Sequence, residues 1–313
     1  MFEPILQAIS RFDTIIIHRH SRPDGDALGS QIGLKHLILE NFPGKTVYCV
    51  GDEAGFYSFM EDTVMDEIPD SAYAGALAII LDCGGAHLVS DDRWKLAAET
   101  ARMDHHLYTG CFTDVEAIDS SYESCCGLIC RMAKNAGWKK NPLAAQSLYI
   151  GMVTDSGRFR YDSTTAKTFA LASWLMEEKI DTEKLYKDLY ADDIENKKRK
   201  AQFLLKVQFT PNRVAWIYTT AQELAEMEMS TFSVSRGMVN TMADIRGTDI
   251  WVNFTEADGG VLCELRSSGP NINPIAVKYG GGGHAKASGA KVPDRETAMA
   301  MLHDLDQLTG ETK

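Results

Sequence analysis

The chain has 313 residues, more than the roughly 100–200 of one ordinary domain, so two cores are expected. Hydrophobic residues at 44% and charged residues at 24% exclude a disordered or fibrous chain. No apolar run approaches the roughly 20 residues of a membrane span, and MFEPILQAISRFD lacks a basic start followed by an apolar core, so no membrane partner and a cytoplasmic location are expected. A net charge of −12 excludes a general binder of long duplex DNA, because such affinity depends on neutralising many phosphates with Lys and Arg.

In chain order, TIIIHR (14–19), TVYCV (46–50) and LAIILD (77–82) are short β-branched apolar runs and predict strands. The segments between them, such as GSQIGLKHLILE (29–40), are long enough for helices. Alternation of this kind predicts an N-terminal, mainly parallel sheet with helices on both faces. Helical patterns follow at about 124–136, 143–153, 165–178 and 182–190. The charged stretch DDIENKKRK (192–200) reads as a linker or linking helix, with Lys197, Lys198, Arg199 and Lys200 as its solvated face. KVQFTPNRVAWIYTT then predicts a hairpin around Pro211-Asn212, and DIWVNFTEADGGVLCELRSS a second around Asp258-Gly259-Gly260. The expected organisation is a first domain over 1–191, a linker over 192–205, and a smaller α/β domain with a mixed sheet over 206–313. The seven cysteines are an odd set without paired CxxC clusters and read as reduced thiols.

Four segments carry chemistry. In His20-Ser21-Arg22-Pro23-Asp24-Gly25-Asp26-Ala27-Leu28-Gly29-Ser30, which follows a strand, a His and two Asp within seven residues at a Pro/Gly turn can aim several hard ligands at one point; the same Asp residues could equally cap the next helix. Asp82 ends the run ALAIIL. Asp104-His105-His106 follows TARM, where adjacent histidines point in different directions, so that one can bind metal while the other faces a substrate. Asp155 sits in VTDSGRFRY, and alone would be an ordinary turn residue. A fifth segment, Gly280-Gly281-Gly282-Gly283-His284-Ala285-Lys286-Ala287-Ser288-Gly289, joins a glycine run suited to backbone approach by an anion with basic side chains, and follows the basic strand end Arg266-Ser267.

In this order the first four segments resemble the DHH phosphoesterase superfamily, and the fifth resembles the GGGHxxAxG signature of the DHHA1 domain, with Ser288 where Ala is usual. The length and layout are similar to the branch of bifunctional oligoribonucleases and 3′-phosphoadenosine 5′-phosphate (PAP) phosphatases, the nanoRNases. The resemblance implies two divalent cations, Mn2+ with Mg2+ or Co2+ as substitutes. One would be held by His20, Asp24 and Asp82, the other by Asp26, Asp82, His105 and Asp155. It implies catalytic roles for His106, Asp82 and Asp104, and substrate binding by Arg266, Ser267, Gly281, Gly282, Gly283 and His284; Arg158 and Arg160, which flank the fourth segment, are candidates for a phosphate or equally for a paired surface role, and Arg236 is a weaker candidate. The implied substrates are short single-stranded oligonucleotides, from di- to pentanucleotides, or nucleotide phosphates such as PAP, and the oligomeric state leaves room for a homodimer. Rival expectations are a phosphodiesterase for linear dinucleotides of the pApA type, a pyrophosphatase or polyphosphatase, and a non-catalytic nucleotide-binding regulator.

Overall fold

The structure is a computed structural model that describes residues 1–257 and 259–311. The chain divides into two compact units, Met1–Ala191 and a second beginning at Asp192. Among the described residues no helix is long and apolar enough to cross a membrane.

The first unit is built on a five-stranded parallel sheet of β1 Thr14–His18, β2 Thr46–Cys49, β3 Leu77–Leu81, β4 Glu99–Asp104 and β5 Val115–Ile118, in the order β2-β1-β3-β4-β5. Its helices are α1 Glu3–Arg11, α2 Gly25–Asn41, α3 Cys125–Asn135, α4 Pro142–Asp155, α5 Ala166–Met176 and α6 Thr182–Tyr190. The runs TIII and LAIIL are apolar without alternation because both faces of the sheet are covered. Ile15, Ile17, Leu77, Ile79, Leu81, Ala101 and Met103 pack with the α-helices. Ile16, Ala78 and Ile80 face the other way, toward Tyr73 and Trp94 on short 3-10 helices. Helices thus cover both faces, as expected, but of two kinds.

This strand order matters for function. From β1 the chain steps outward to β2, then returns to place β3 on β1's other side, so the connections leave the two neighbours in opposite directions. A crevice opens outside the carboxyl ends of strands at such a switch point. Here those ends carry His20, two residues beyond β1, and Asp82, immediately beyond β3.

Helix α2 starts four residues earlier than its apolar pattern indicated, because the Asp24 side chain accepts from the amides of Asp26 and Ala27, both at 3.0 Å, and nucleates the first turn. It packs tightly against α4. A Cβ at Gly29 would stand 2.4 Å from the Ser147 carbonyl oxygen, and one at Gly33 2.5 Å from Leu148.

The second unit holds a six-stranded mixed sheet, β10-β11-β9-β8-β7-β6, of β6 Gln208–Phe209, β7 Ala215–Thr219, β8 Ile250–Ala257, β9 Gly260–Ser267, β10 Gly282–Gly283 and β11 Ala287–Val292. Only β7 and β8 pair in parallel. Both expected hairpins form, β6-β7 and β8-β9, although Asp258 at the tip of the second lies outside the described residues. The helices are α7 Ile194–Leu204, α8 Ala221–Glu226, α9 Asn273–Lys278 and α10 Arg295–Glu311. The segment anticipated as a linker is α7, whose buried Phe203 packs with Ala215, Ile217 and Val234. Its Lys198 and Lys200 pair with Glu195 and Asp192.

Candidate metal centre

The four N-terminal motifs converge on one point. Three overlapping groups of side chains each bring their ligand atoms within 4.8 Å of one another: His20, Asp24 and Asp82; Asp26, His105 and Asp155; and Asp82, His105 and His106. Asp82 is the hinge of the arrangement. Its Oδ2 stands 3.5 Å from His20 Nε2, and its Oδ1 stands 3.5 Å from His105 Nε2 and 3.6 Å from His106 Nδ1. His105 Nε2 also lies 3.8 Å from Asp26 Oδ2 and 3.3 Å from Asp155 Oδ2, while His20 Nε2 lies 3.7 Å from Asp24 Oδ1. Two atoms that each bind one ion at about 2.1 Å are separated by roughly 3.0–3.5 Å in octahedral or tetrahedral geometry. The observed spacings sit at and slightly above that range.

The donor set fits a cation on three further counts. Asp82 is only 3% exposed, yet its Oδ1 has no hydrogen-bond partner among the described residues, and a buried carboxylate oxygen left in that state is costly unless a cation completes it. Asp82 also sits at φ 54°, a conformation that costs a non-glycine residue on the order of 1–3 kcal/mol and concentrates at functional sites. Finally, His20 Nδ1 lies 2.9 Å from the Ser21 carbonyl and His105 Nδ1 3.3 Å from the Tyr122 carbonyl, which places the protons on Nδ1 and turns the Nε2 lone pairs inward.

Asp26 has a double duty. It is almost fully buried in the first turn of α2, and its two oxygens accept from the Cys125 and Cys126 amides, at 2.7 and 2.9 Å, at the start of α3. The capping and metal-binding readings of the motif therefore both describe the structure: Asp24 caps α2, Asp26 ties α2 to α3, and each still offers an atom to the cluster. Asp24, with 56% of its side chain exposed, and the partly exposed Asp155 leave one flank open to solvent. His106 donates from Nδ1 to Asp104 Oδ1 at 2.7 Å, and Asp104 is buried.

Electrostatics in the cluster run against Asp26 and Asp155, while His105 and His20 outweigh burial and hold Asp82 below the ordinary carboxylate range. Burial, then the charges of Asp82 and Asp155, push the Asp26 carboxyl well up, and burial together with Asp82 lifts Asp155 to about 7. Burial alone would lower His20 and His105, but neighbouring carboxylates, chiefly Asp24 and Asp82 for the first and Asp82 and Asp26 for the second, overcome it and raise each to about 11. Protons thus do the work of counter-cations. A group whose folded pKa is raised stabilises the fold below its unfolded pKa and loses that contribution as pH rises through the folded value. For Asp155 the window runs from its usual 3.8 to about 7, and for the histidines from 6.5 to about 11. Cation binding requires those same protons to leave. Between about pH 6 and pH 9, then, the melting temperature of chelator-treated protein is expected to fall while the increment produced by Mn2+ grows. An increment that shrinks with pH in a calorimetric series would contradict this assignment.

In the second unit, Arg266 lies on β9 beside Ala287 of β11, its guanidinium held by Glu264 at 3.2 Å and by the Leu265 carbonyl at 2.8 Å. The Ser267 hydroxyl is taken up by the following turn, donating to the Pro270 carbonyl and accepting from the Gly269 amide. The glycine run is not a free backbone cradle. The amides of Gly280, Gly281 and His284 donate to the carbonyls of Val277, Ala276 and Ala287, and Gly282–Gly283 form β10. Glycine is demanded there by packing, since a Cβ at Gly281 would meet the Gly289 carbonyl oxygen at 2.1 Å. Ser288, the departure from the usual Ala, donates to the His284 carbonyl at 2.7 Å and so fastens the loop. The His284 and Lys286 side chains are exposed. Arg236 is exposed on a π-helical turn, Ser233–Gly237, and Arg160 donates to the Gly157 carbonyl.

Carboxylates and imidazoles gathered at the switch point of a parallel sheet are a donor set that could hold a metal ion. Residues 14–152 match the DHH family, N-terminal domain, and residues 222–311 the DHHA1 domain; the chain belongs to the DHH/DHHA1 family of phosphoesterases, hydrolases of ester bonds. It is 34% identical to the bifunctional oligoribonuclease and PAP phosphatase NrnA of Bacillus subtilis (strain 168), over 98% of both chains. It is 36% identical to the protein of that name from Mycoplasma genitalium, over 96% of this chain and 95% of the relative. Among solved structures it is similar to an exopolyphosphatase-related protein from Bacteroides fragilis, with a TM-score of 0.86 and 25% identity over 98% of this chain and 95% of that one.

Residues that sequence patterns did not single out complete the centre: the Cys125 and Cys126 amides, the Tyr122 carbonyl, and Gly151 between the helices. None has a local signature, because each acts through a contact distant in sequence.

Proposed function

We propose that this protein hydrolyses short single-stranded oligonucleotides to mononucleotides, and PAP to AMP and phosphate, with two divalent cations, Mn2+ in the first instance, at the cluster. The observation that carries the reading is Asp82, whose two oxygens stand by His20 and by His105, so that a three-ligand and a four-ligand site would share one carboxylate. His20, Asp24 and Asp82 would hold one ion, and Asp26, Asp82, His105 and Asp155 the other. When bound, such ions neutralise the four carboxylates, polarise a phosphoryl group and bring the pKa of a water toward neutrality.

The chain's own groups do the rest. Asp104 fixes His106 through Nδ1, and its carboxylate raises the His106 pKa; when protonated, the ring would donate from Nε2 to a phosphoryl oxygen as charge develops there. Exposed Asp24 and partly exposed Asp155 mark the flank by which the phosphate would enter. The exposed Arg158, and in the second unit Arg266 with the Gly281–Gly283 strand and His284, are the nucleotide-binding groups; Ser267 supports the turn beside Arg266. The names borne by the B. subtilis and M. genitalium relatives support this choice of substrates.

The test is chromatography of products after incubating the Mn2+-loaded protein with PAP, a di- to pentanucleotide series, pApA and pyrophosphate in parallel. Mononucleotides from the whole oligomer series and AMP from PAP are expected. Turnover of pApA alone, or of pyrophosphate alone, sinks the reading.

A further inference from the structure

Asp104 fixes His106 from one side only, accepting from its Nδ1 at 2.7 Å and from its backbone amide at 3.3 Å. Beyond His106 the chain runs into residues 107–112, which bury little: Leu107 is 75% exposed and Tyr108 62%. A stretch with so little apolar burial is not held by packing. Two polar tethers hold it instead. The Thr109 hydroxyl donates to the carbonyl of Gly84, two residues beyond Asp82. Arg102 Nη2 donates to the Gly110 carbonyl at 3.3 Å, and the guanidinium carbon stands 4.3 Å from the ring centroid of Phe112 and 5.9 Å from that of Tyr108. Glu116, opposite Arg102 on β5, stands 3.2 Å from the same Nη2 and accepts from the Phe112 amide at 3.3 Å.

Arg102 is an unusual residue for its place. It is 1% exposed, and its Nε and Nη1 have no hydrogen-bond partner among the described residues. Donors of a buried cation left in that state destabilise a fold, and a buried ion pair is often replaced by apolar residues without loss of stability. Stability therefore does not account for the guanidinium. Its reach does. Arg102 lies two residues before Asp104 on the same face of β4, and from there its planar fork spans the loop from Tyr108 to Phe112.

We propose that Arg102 and Thr109 are positioning residues for His106, holding the far end of its loop while Asp104 holds the ring. Neither touches the substrate. The two tethers reach the loop from different strands' ends, Thr109 by way of the segment after β3 and Arg102 from within β4, so the backbone at His106 is braced from both sides. The inference rests on the phosphoryl contact given to His106 above and deepens it: the placement of that ring depends on residues 107–112 as well as on Asp104.

The test is a double-mutant cycle in the Mn2+-loaded protein: Arg102→Lys and Thr109→Val, each alone and each combined with His106→Ala. It is read on whichever of a dinucleotide, PAP, pApA and pyrophosphate the wild type turns over fastest, so it stands apart from the choice of substrate. Arg102→Lys keeps the charge and loses the fork. Thr109 is exposed, so Thr109→Val cuts the second tether without disturbing the core, and it decides the question if circular dichroism finds Arg102→Lys unfolded. Each single variant is expected to lower kcat roughly tenfold with KM and bound Mn2+ unchanged, since a small displacement of a reacting group is enough for that. Beside His106→Ala neither is expected to lower kcat further, because a positioning residue acts only through the group it positions. A loss from destabilisation would appear in both backgrounds. A folded single variant at wild-type kcat, or losses that persist in full beside His106→Ala, overturns the inference alone. His106→Ala at the wild-type rate overturns the role given to His106 and the positioning with it.

Discussion

Asp82→Asn is expected to lower kcat/KM for a dinucleotide by at least about a thousandfold, because it weakens two cation sites at once and metal sites contribute several kcal/mol of charge stabilisation. Asn is the informative replacement. It keeps the shape of Asp and is among the few residues that tolerate left-handed backbone, so the φ of 54° and the bond from this residue's amide to the Met103 carbonyl at 3.1 Å can survive. What disappears is the charge and one of the two acceptor oxygens facing His20 and His105. Elemental analysis of the dialysed protein should then find fewer than two bound ions, with circular dichroism unchanged. A variant with full metal content and near-normal rate would show that Asp82 is a structural carboxylate and that the centre lies elsewhere.

How much of this was legible in the sequence depends on the range of the interaction involved. Strands β1, β2 and β3 and helices α3 to α6 follow from apolar runs and periodicity, which are local. The six proposed ligands were legible because each lies at a strand or helix end in a short motif. The start of α2 was misplaced because the glycines and small residues of DALGSQIG dilute its apolar pattern, whereas the Asp24 cap that starts the helix is a side-chain to backbone bond. The glycine run at 280–283 suits close approach by an anion, and in the structure it also lies close against β11 of the same unit. The two readings share one requirement, the absence of a Cβ, and sequence cannot say what occupies the space. Nor could it show the left-handed residues Gly157, Arg158 and Phe159, since Phe159 is held by packing between Tyr149 and Phe169.

The packing beneath the centre leads to a second large effect, at a residue that contacts no substrate. Gly151 of α4 lies where α2, α3 and α4 meet, and a Cβ there would stand 2.2 Å from Cys126 Sγ, 2.9 Å from Asp26 Oδ1 and 3.1 Å from Asp26 Cα. Gly151→Ala favours the helix by about 1 kcal/mol in propensity, but overpacking of this severity typically costs about 1–3 kcal/mol, so a melting temperature lowered by several degrees is expected. Movement of Asp26 relieves part of the clash, and Asp26 holds the α3 amides as well as an atom offered to the cluster. Metal affinity should therefore fall with stability. The double variant Gly151→Ala/Cys126→Ala separates the two effects. Removing the sulfur takes away the nearest contact and should recover most of the melting temperature, a coupling that neighbouring sites show and distant ones do not. The approach to Asp26 remains, so Mn2+ titration should still find weakened binding. Full recovery of both properties would mean that α4 presses only on the thiol and that Asp26 is positioned by α2 and α3 alone.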